Sequence, residues 1–169
     1  MSSEGASQGE QILEAARRNN VELLEELRAS IQEPAAIATL INESRDIMGN
    51  TALHLAAHNG NFEVLDTILD QEGVEVDPVN NLDKETPLHL AVKYSFEEPE
   101  HGTYIIETLI DAGADSRIKN NGGMQPIDLV RGDNEALRDI LESAEYAHDA
   151  GIAQEGIEEA GSGSESDDE

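Results

Sequence analysis

An all-α repeat solenoid is the fold this sequence predicts, and three observations predict it. Thr51-Ala52-Leu53-His54-Leu55-Ala56 returns as Thr86-Pro87-Leu88-His89-Leu90-Ala91, every shared residue displaced by 35 positions. Each copy is followed by an apolar stripe at helical spacing: Val64, Leu65, Ile68 and Leu69, then Ile105, Ile106, Leu109 and Ile110. Such spacing buries one side of a helix. The first copy also follows a turn at Gly49, where glycine supplies positive φ without strain. Self-similarity at one period of roughly 20–50 residues marks stacked units that cannot bury their apolar faces alone.

A turn and two helices around a T-P-L-H-x-A core, repeated about every 33 residues, is the ankyrin pattern. At Thr51–Ala56 and Thr86–Ala91 this chain resembles the ankyrin-repeat family. The resemblance implies about four repeats, two full and two capping, with short finger loops. Residues 10–147 are expected to form this domain, between a disordered Ser/Gly-rich stretch at 1–9 and a disordered acidic tail at 148–169.

Ser7 and Glu10 fit a capping box that starts the first helix. Ala15 and Ala16 then match Ala56 and Ala57, and Leu23, Leu24 and Leu27 match Val64, Leu65 and Ile68, all at an offset of 41. This unit lacks the Thr and His and is more charged, as a capping repeat facing water should be. Pro34, with Ala35, Ala36, Ile37, Leu40 and Ile41 behind it, predicts a short extra helix whose apolar side packs on the first unit. In the second repeat Thr51 caps the inner helix, Asn59-Gly60 end it, and Asn61 is placed to cap the outer one.

The third repeat departs from the second twice. Lys84 stands where Gly49 does, so its finger either strains a lysine or takes another turn type. The link between its helices, within residues 93–102, is six residues longer. In the fourth unit Gln125 replaces the Thr and Asp128 the His, followed by Ala136, Leu137, Ile140 and Leu141 for an outer helix that runs on through Ala147. Such divergence suits a C-terminal cap.

Composition narrows the function. A net charge of −27 repels nucleic-acid phosphates and anionic membrane surfaces, so neither is an expected partner; basic proteins are favoured. No cysteine is present, which excludes disulfides and thiolate metal sites. Met1–Glu10 lacks the pattern of a secretory signal, and no apolar run approaches the roughly 18 residues of a membrane helix. The expected location is cytoplasm, nucleus or both, and the expected state a monomer.

Nothing in the chain reads as catalytic. There is no phosphate-binding glycine loop and no calcium-binding loop, so an enzyme, a cofactor and a metal are not expected. Equivalent histidines on stacked helices lie roughly 8–10 Å apart. His54 and His89 therefore cannot share a zinc ion that needs nitrogens at about 2.1 Å. The resemblance implies a structural role for Thr51, His54, Thr86, Pro87 and His89, the histidines bonding around the Thr of their own motif and stitching neighbouring repeats.

The resemblance also implies a non-catalytic protein-binding module whose partners meet fingertips and inner helices. The matching positions are Arg45, Met48, Asn50 and His58, then Leu82, Lys84, Glu85 and Lys93, then Lys119, Asn121 and Met124. Tyr94, Phe96 and Tyr104 crowd the long third-repeat link, where they either anchor the loop or expose Phe96 as a second contact site. Ser162, Ser164 and Ser166 each precede an acidic residue by three positions and are candidate phosphorylation sites, or part of an unmodified solvated tail.

The short array and acidic tail look like small fungal members of the family, some of which escort a basic ribosomal protein. Escort of a basic client is the sharpest functional expectation, with regulation or inhibition of an enzyme through the finger groove as the alternative. Arg45, Lys84, Arg117 and Lys119 make the finger side the less acidic one, which points a basic client toward the tail and outer helices.

Overall fold

Ser7 opens the first helix as its capping box requires. Its hydroxyl accepts the Glu10 N–H at 3.1 Å, and the Glu10 carboxylate accepts the Ser7 N–H at 3.3 Å. The computed structural model describes residues 7–151. In it α1 (Gln8–Arg18) and α2 (Val21–Ser30) form the first helix pair, and α3 (Pro34–Glu43) is the extra helix, Pro34 in its first turn. The second pair is α4 (Ala52–His58) and α5 (Phe62–Leu69), and the third is α6 (Pro87–Tyr94) and α7 (Pro99–Asp111). A one-turn 3-10 helix (Pro126–Leu129) and α8 (Glu135–Asp149) complete the array, α8 ending two residues beyond the expected 147. Ser162, Ser164, Ser166 and most of both expected disordered ends lie outside the described residues.

Small residues set the spacing of the inner row. Ala15, Ala16, Ala56, Ala57 and Ala91 are fully buried where α1 meets α4 and α4 meets α6. The outer helices bring the large side chains: Leu24 and Leu27, then Val64, Leu65 and Ile68, then Ile105, Ile106 and Leu109, then Leu137 and Leu141. All join one cluster, so the units share a single core. Each fully buried Leu or Ile contributes about 1.5–3 kcal/mol. Ile37 and Ile41 bury the apolar side of α3 against α1, as its spacing predicts.

Four local outcomes refine the sequence reading. Asn61 does not cap its own helix: its amide reaches back to the carbonyls of Ala16 and Arg17 at 2.9 and 3.0 Å. The cap of α5 comes instead from Asn19, whose side-chain oxygen accepts the Val64 N–H at 3.0 Å. Two asparagines thus exchange caps between neighbouring repeats, satisfying helix-end groups that lack intrahelical partners. Lys84 takes the strained option, with φ 56°, in place of glycine.

The long third-repeat link is absorbed mainly by α7, which has 13 residues where α5 has 8. Finally, the inner helix of the last repeat shrinks to the 3-10 turn. The Gln125 N–H is held there by the Asp128 carboxylate at 2.9 Å.

Candidate interaction surface

The fingers are built on a repeated chemical joint. Thr51 Oγ1 caps α4, and the Thr51 N–H is accepted by His54 Nδ1 at 3.0 Å. That bond leaves the proton on Nε2, which donates to the Glu85 carbonyl of the next finger at 2.7 Å. Thr86 and His89 repeat the arrangement, His89 Nε2 reaching the Met124 carbonyl at 2.9 Å. Burial holds both imidazoles neutral: desolvation pushes the His54 pKa down to about 4 and also lowers that of His89. Asp128 copies the local half of this joint but has no second nitrogen to pass onward. Its carboxylate ends the ladder.

Each finger is also a tight turn. Asp46 Oδ1 accepts the N–H groups of Met48 and Asn50, both at 2.9 Å, and Asn120 Oδ1 does the same for Gly122 and Met124. Gly49, Lys84 and Gly123 hold the matching left-handed positions, φ 84°, 56° and 78°. Side chains tie finger to finger. Arg45 donates to the carbonyls of Gly49 and Val79, both at 2.9 Å, and Asn80 donates to Asn50 Oδ1 at 3.0 Å. Backbone bonds run from Asn81 to Met48 and from Asn121 to Asp83.

Of the residues expected at a contact surface, Glu85 is withdrawn from it and Phe96 is partly covered. Glu85 is 2% exposed; its carboxylate accepts from Lys93 Nζ at 2.8 Å and Asn120 Nδ2 at 2.9 Å, making it a buried strut between fingers. Phe96 packs against the core with the Arg131 guanidinium 4.1 Å from its ring centre, so it anchors its loop. The other link aromatics do likewise. Tyr104, itself still exposed, lies tilted on Phe62 with ring centres 4.6 Å apart, and Tyr94 covers Gly60 so closely that a Cβ there would lie 2.1 Å from the ring. His101 Nε2 sits 2.8 Å from the Gly60 carbonyl oxygen.

The remaining positions divide in two. Arg45, Asn50 and Lys93 are engaged in the bonds just described. Met48 (47% exposed), Leu82 (66%) and Met124 (39%) stand out at the fingertips, with His58, Lys84, Lys119 and Asn121 also exposed. Ile47, 96% exposed, belongs with them and was missed by motif alignment. Its signal was available: two adjacent apolar residues in a tight turn cannot both reach a core. Of the basic finger residues, Arg117 is bound to Asp115 and Asp149 at 2.9 and 3.1 Å, leaving Lys84 and Lys119 to face solvent.

The outer helices contrast with this. Three carboxylates on α2, two on α5, three on α7 and five on α8 stand against Arg28 and Arg138. Arg28 pairs with Glu25, and Arg138 is turned onto the carbonyls of Val130 and Gly132.

A family model described as ankyrin repeats (3 copies) matches residues 12–120. The chain belongs to the ankyrin-repeat family. It is 54% identical over 153 residues to the ankyrin repeat-containing protein YGL242C of Saccharomyces cerevisiae, covering 89% of this chain and 84% of the yeast protein. It is also 37% identical over 95 residues to the ankyrin repeat protein FPV031 of fowlpox virus, covering 54% of this chain and 26% of the viral one. Membership makes the array a protein–protein interaction module of a generally non-catalytic kind. Among the described residues no cluster of three or more His, Asp or Glu is placed to hold a metal, and no helix is long and apolar enough to cross a membrane.

Proposed function

We propose that this protein is a non-catalytic escort for a basic client protein, working as a monomer in the cytoplasm, the nucleus or both. One observation carries the reading: the outer helices present carboxylates almost without compensating cations, on a chain of net charge −27. Such a surface speeds encounter with a cationic protein and competes with nucleic acid for it. The acidic residues of 152–169 would add to the same field. Affinity purification with and without residues 152–169, followed by a salt series on the captured partner, tests it. An escort binds a basic protein and loses affinity steeply as salt rises; a partner that is acidic, or held equally at low and high salt, contradicts the reading.

A second reading, a regulator that blocks an enzyme through the finger side, is favoured by exposed Ile47, Met48, Leu82 and Met124. Apolar anchors on rigid turns resist salt, so the same series separates the two. Phosphorylation at Ser162, Ser164 or Ser166 would deepen the acidic field and strengthen escort binding.

A further inference from the structure

Between α7 and α8 runs an open groove of about 630 Å³ floored by Ile110, Ile140 and Ala144 and edged by Glu107, Asp111 and Asp139. An adjoining hollow of about 480 Å³ shares Asp139 and adds Glu142 and exposed Tyr146. No Lys or Arg lines either one. Two carboxylates further along α8 have partners within the protein: Glu145 lies 3.4 Å from the Gln125 amide, and Asp149 pairs with Arg117. The carboxylates of Glu107, Asp111, Asp139 and Glu142 make no ion pair or hydrogen bond among the described residues; the first three edge the apolar floor, and Glu142 lines the adjoining hollow.

Their spacing is directional. Glu107 and Asp111 are four apart on α7, and Asp139 and Glu142 three apart on α8, so each pair shares one helix face. Two acidic rails therefore flank an apolar trough. An incoming helix with an apolar stripe and flanking lysines or arginines would bury the isoleucines and neutralise both rails. An acidic or neutral segment would do only one of these.

We propose that the α7–α8 groove is the docking site for one amphipathic, lysine- or arginine-rich helix of the client. This rests on the basic-client reading above and gives it a location. Charge complementarity selects the occupant, and the isoleucine floor distinguishes a seated helix from diffuse attraction to an acidic surface.

The test uses the full chain and two synthetic peptides of about 15 residues with identical Leu and Lys content. One places its leucines on a single helix face; the other scrambles them. The facial peptide is expected to bind with amide chemical-shift changes centred on Ile110, Ile140 and Ala144, and at least about tenfold more tightly than the scrambled one. The double variant Asp139→Lys/Glu142→Lys should lose about tenfold, whereas Glu72→Lys/Glu75→Lys, an equal charge change elsewhere, should lose much less. Unchanged thermal melting of both variants certifies the fold. Equal binding of the two peptides, equal losses in the two variants, or shifts centred on the fingertips overturns the groove while leaving the basic-client reading standing. Peptide binding that does not weaken with salt overturns that reading itself. A concentration-dependent dimer that disappears in Asp139→Lys/Glu142→Lys assigns the groove to a second copy and also overturns the proposal.

Discussion

Along the finger side, from Arg45 to Lys93, most polar side chains are bonded to the protein itself. Histidines pass from one repeat to the next carbonyl, asparagines pair across fingers, and Glu85 is buried between Lys93 and Asn120. Along α7 and α8 the carboxylates of Glu107, Asp111, Asp139 and Glu142 engage nothing on the described chain. The first region uses polar chemistry to hold its shape and shows apolar residues to solvent; the second uses apolar residues to hold its shape and shows charge. In a repeat protein these assignments follow from position. A finger has no core of its own and must be fixed by hydrogen bonds, whereas an outer helix is fixed by its buried stripe and leaves its far side free to vary.

The contrast breaks first at the histidine joint. His54→Ala leaves the Glu85 carbonyl and the Thr51 N–H without a buried partner, and should cost about 2–4 kcal/mol in urea unfolding. Substituting an outer carboxylate such as Glu142→Lys should stay within about 0.5 kcal/mol. Equal costs would mean the fingers are not held as described.

Acid sharpens the same point. The His54 pKa is about 4 folded and about 6.5 unfolded, so between these values the unfolded chain binds the extra proton. Its contribution is complete above pH 6.5 and falls as pH drops toward 4, by on the order of 3 kcal/mol. Most of the His54→Ala penalty should therefore vanish by pH 4 in a pH series of unfolding curves. Asp77 works in the opposite sense: burial raises its pKa to about 6, although both its oxygens accept the Asp115 N–H. The folded state then binds the extra proton, so its stabilisation fades as pH rises through about 6. Asp77→Asn should raise the melting temperature most at pH 7.5, about half as much at pH 5, and little below about pH 4, the unfolded carboxylate range.

Much of this could be read from the sequence. The offset of 35 between Thr51 and Thr86 located the α4–α5 and α6–α7 helix pairs, and Asp128 in place of histidine marked a diverged unit after them. Reach was not legible. Asn61 stands where a local cap is expected, but only the packed structure shows that it caps α1 while Asn19 caps α5. Glu85 looked like a fingertip residue by alignment; its burial depends on Asn120, 35 residues away. Phe96 was ambiguous because an aromatic residue serves equally to anchor a loop or to bind a partner, and only the packed structure shows it against the core and Arg131. The α7–α8 groove depends on how two helices lie together, which no local pattern encodes.

Smaller effects than at the histidine joint are expected in the finger turns. Gly49→Ala puts a Cβ 2.5 Å from Asn81 and a side chain at φ 84°, and should destabilise by about 1–3 kcal/mol. Lys84→Gly relieves the left-handed lysine and should stabilise by about 0.5–1 kcal/mol, with client affinity unchanged if the outer side makes the contact.

Most direct is a dissociation-constant measurement on the purified client with one variant per side, Met48→Asp/Leu82→Asp and Glu107→Lys/Asp111→Lys, at low and at high salt. The account predicts at low salt a loss of about tenfold for the outer-helix variant and near-wild-type binding for the finger variant, the difference narrowing as salt rises. A large loss confined to the finger variant, unchanged by salt, would contradict it.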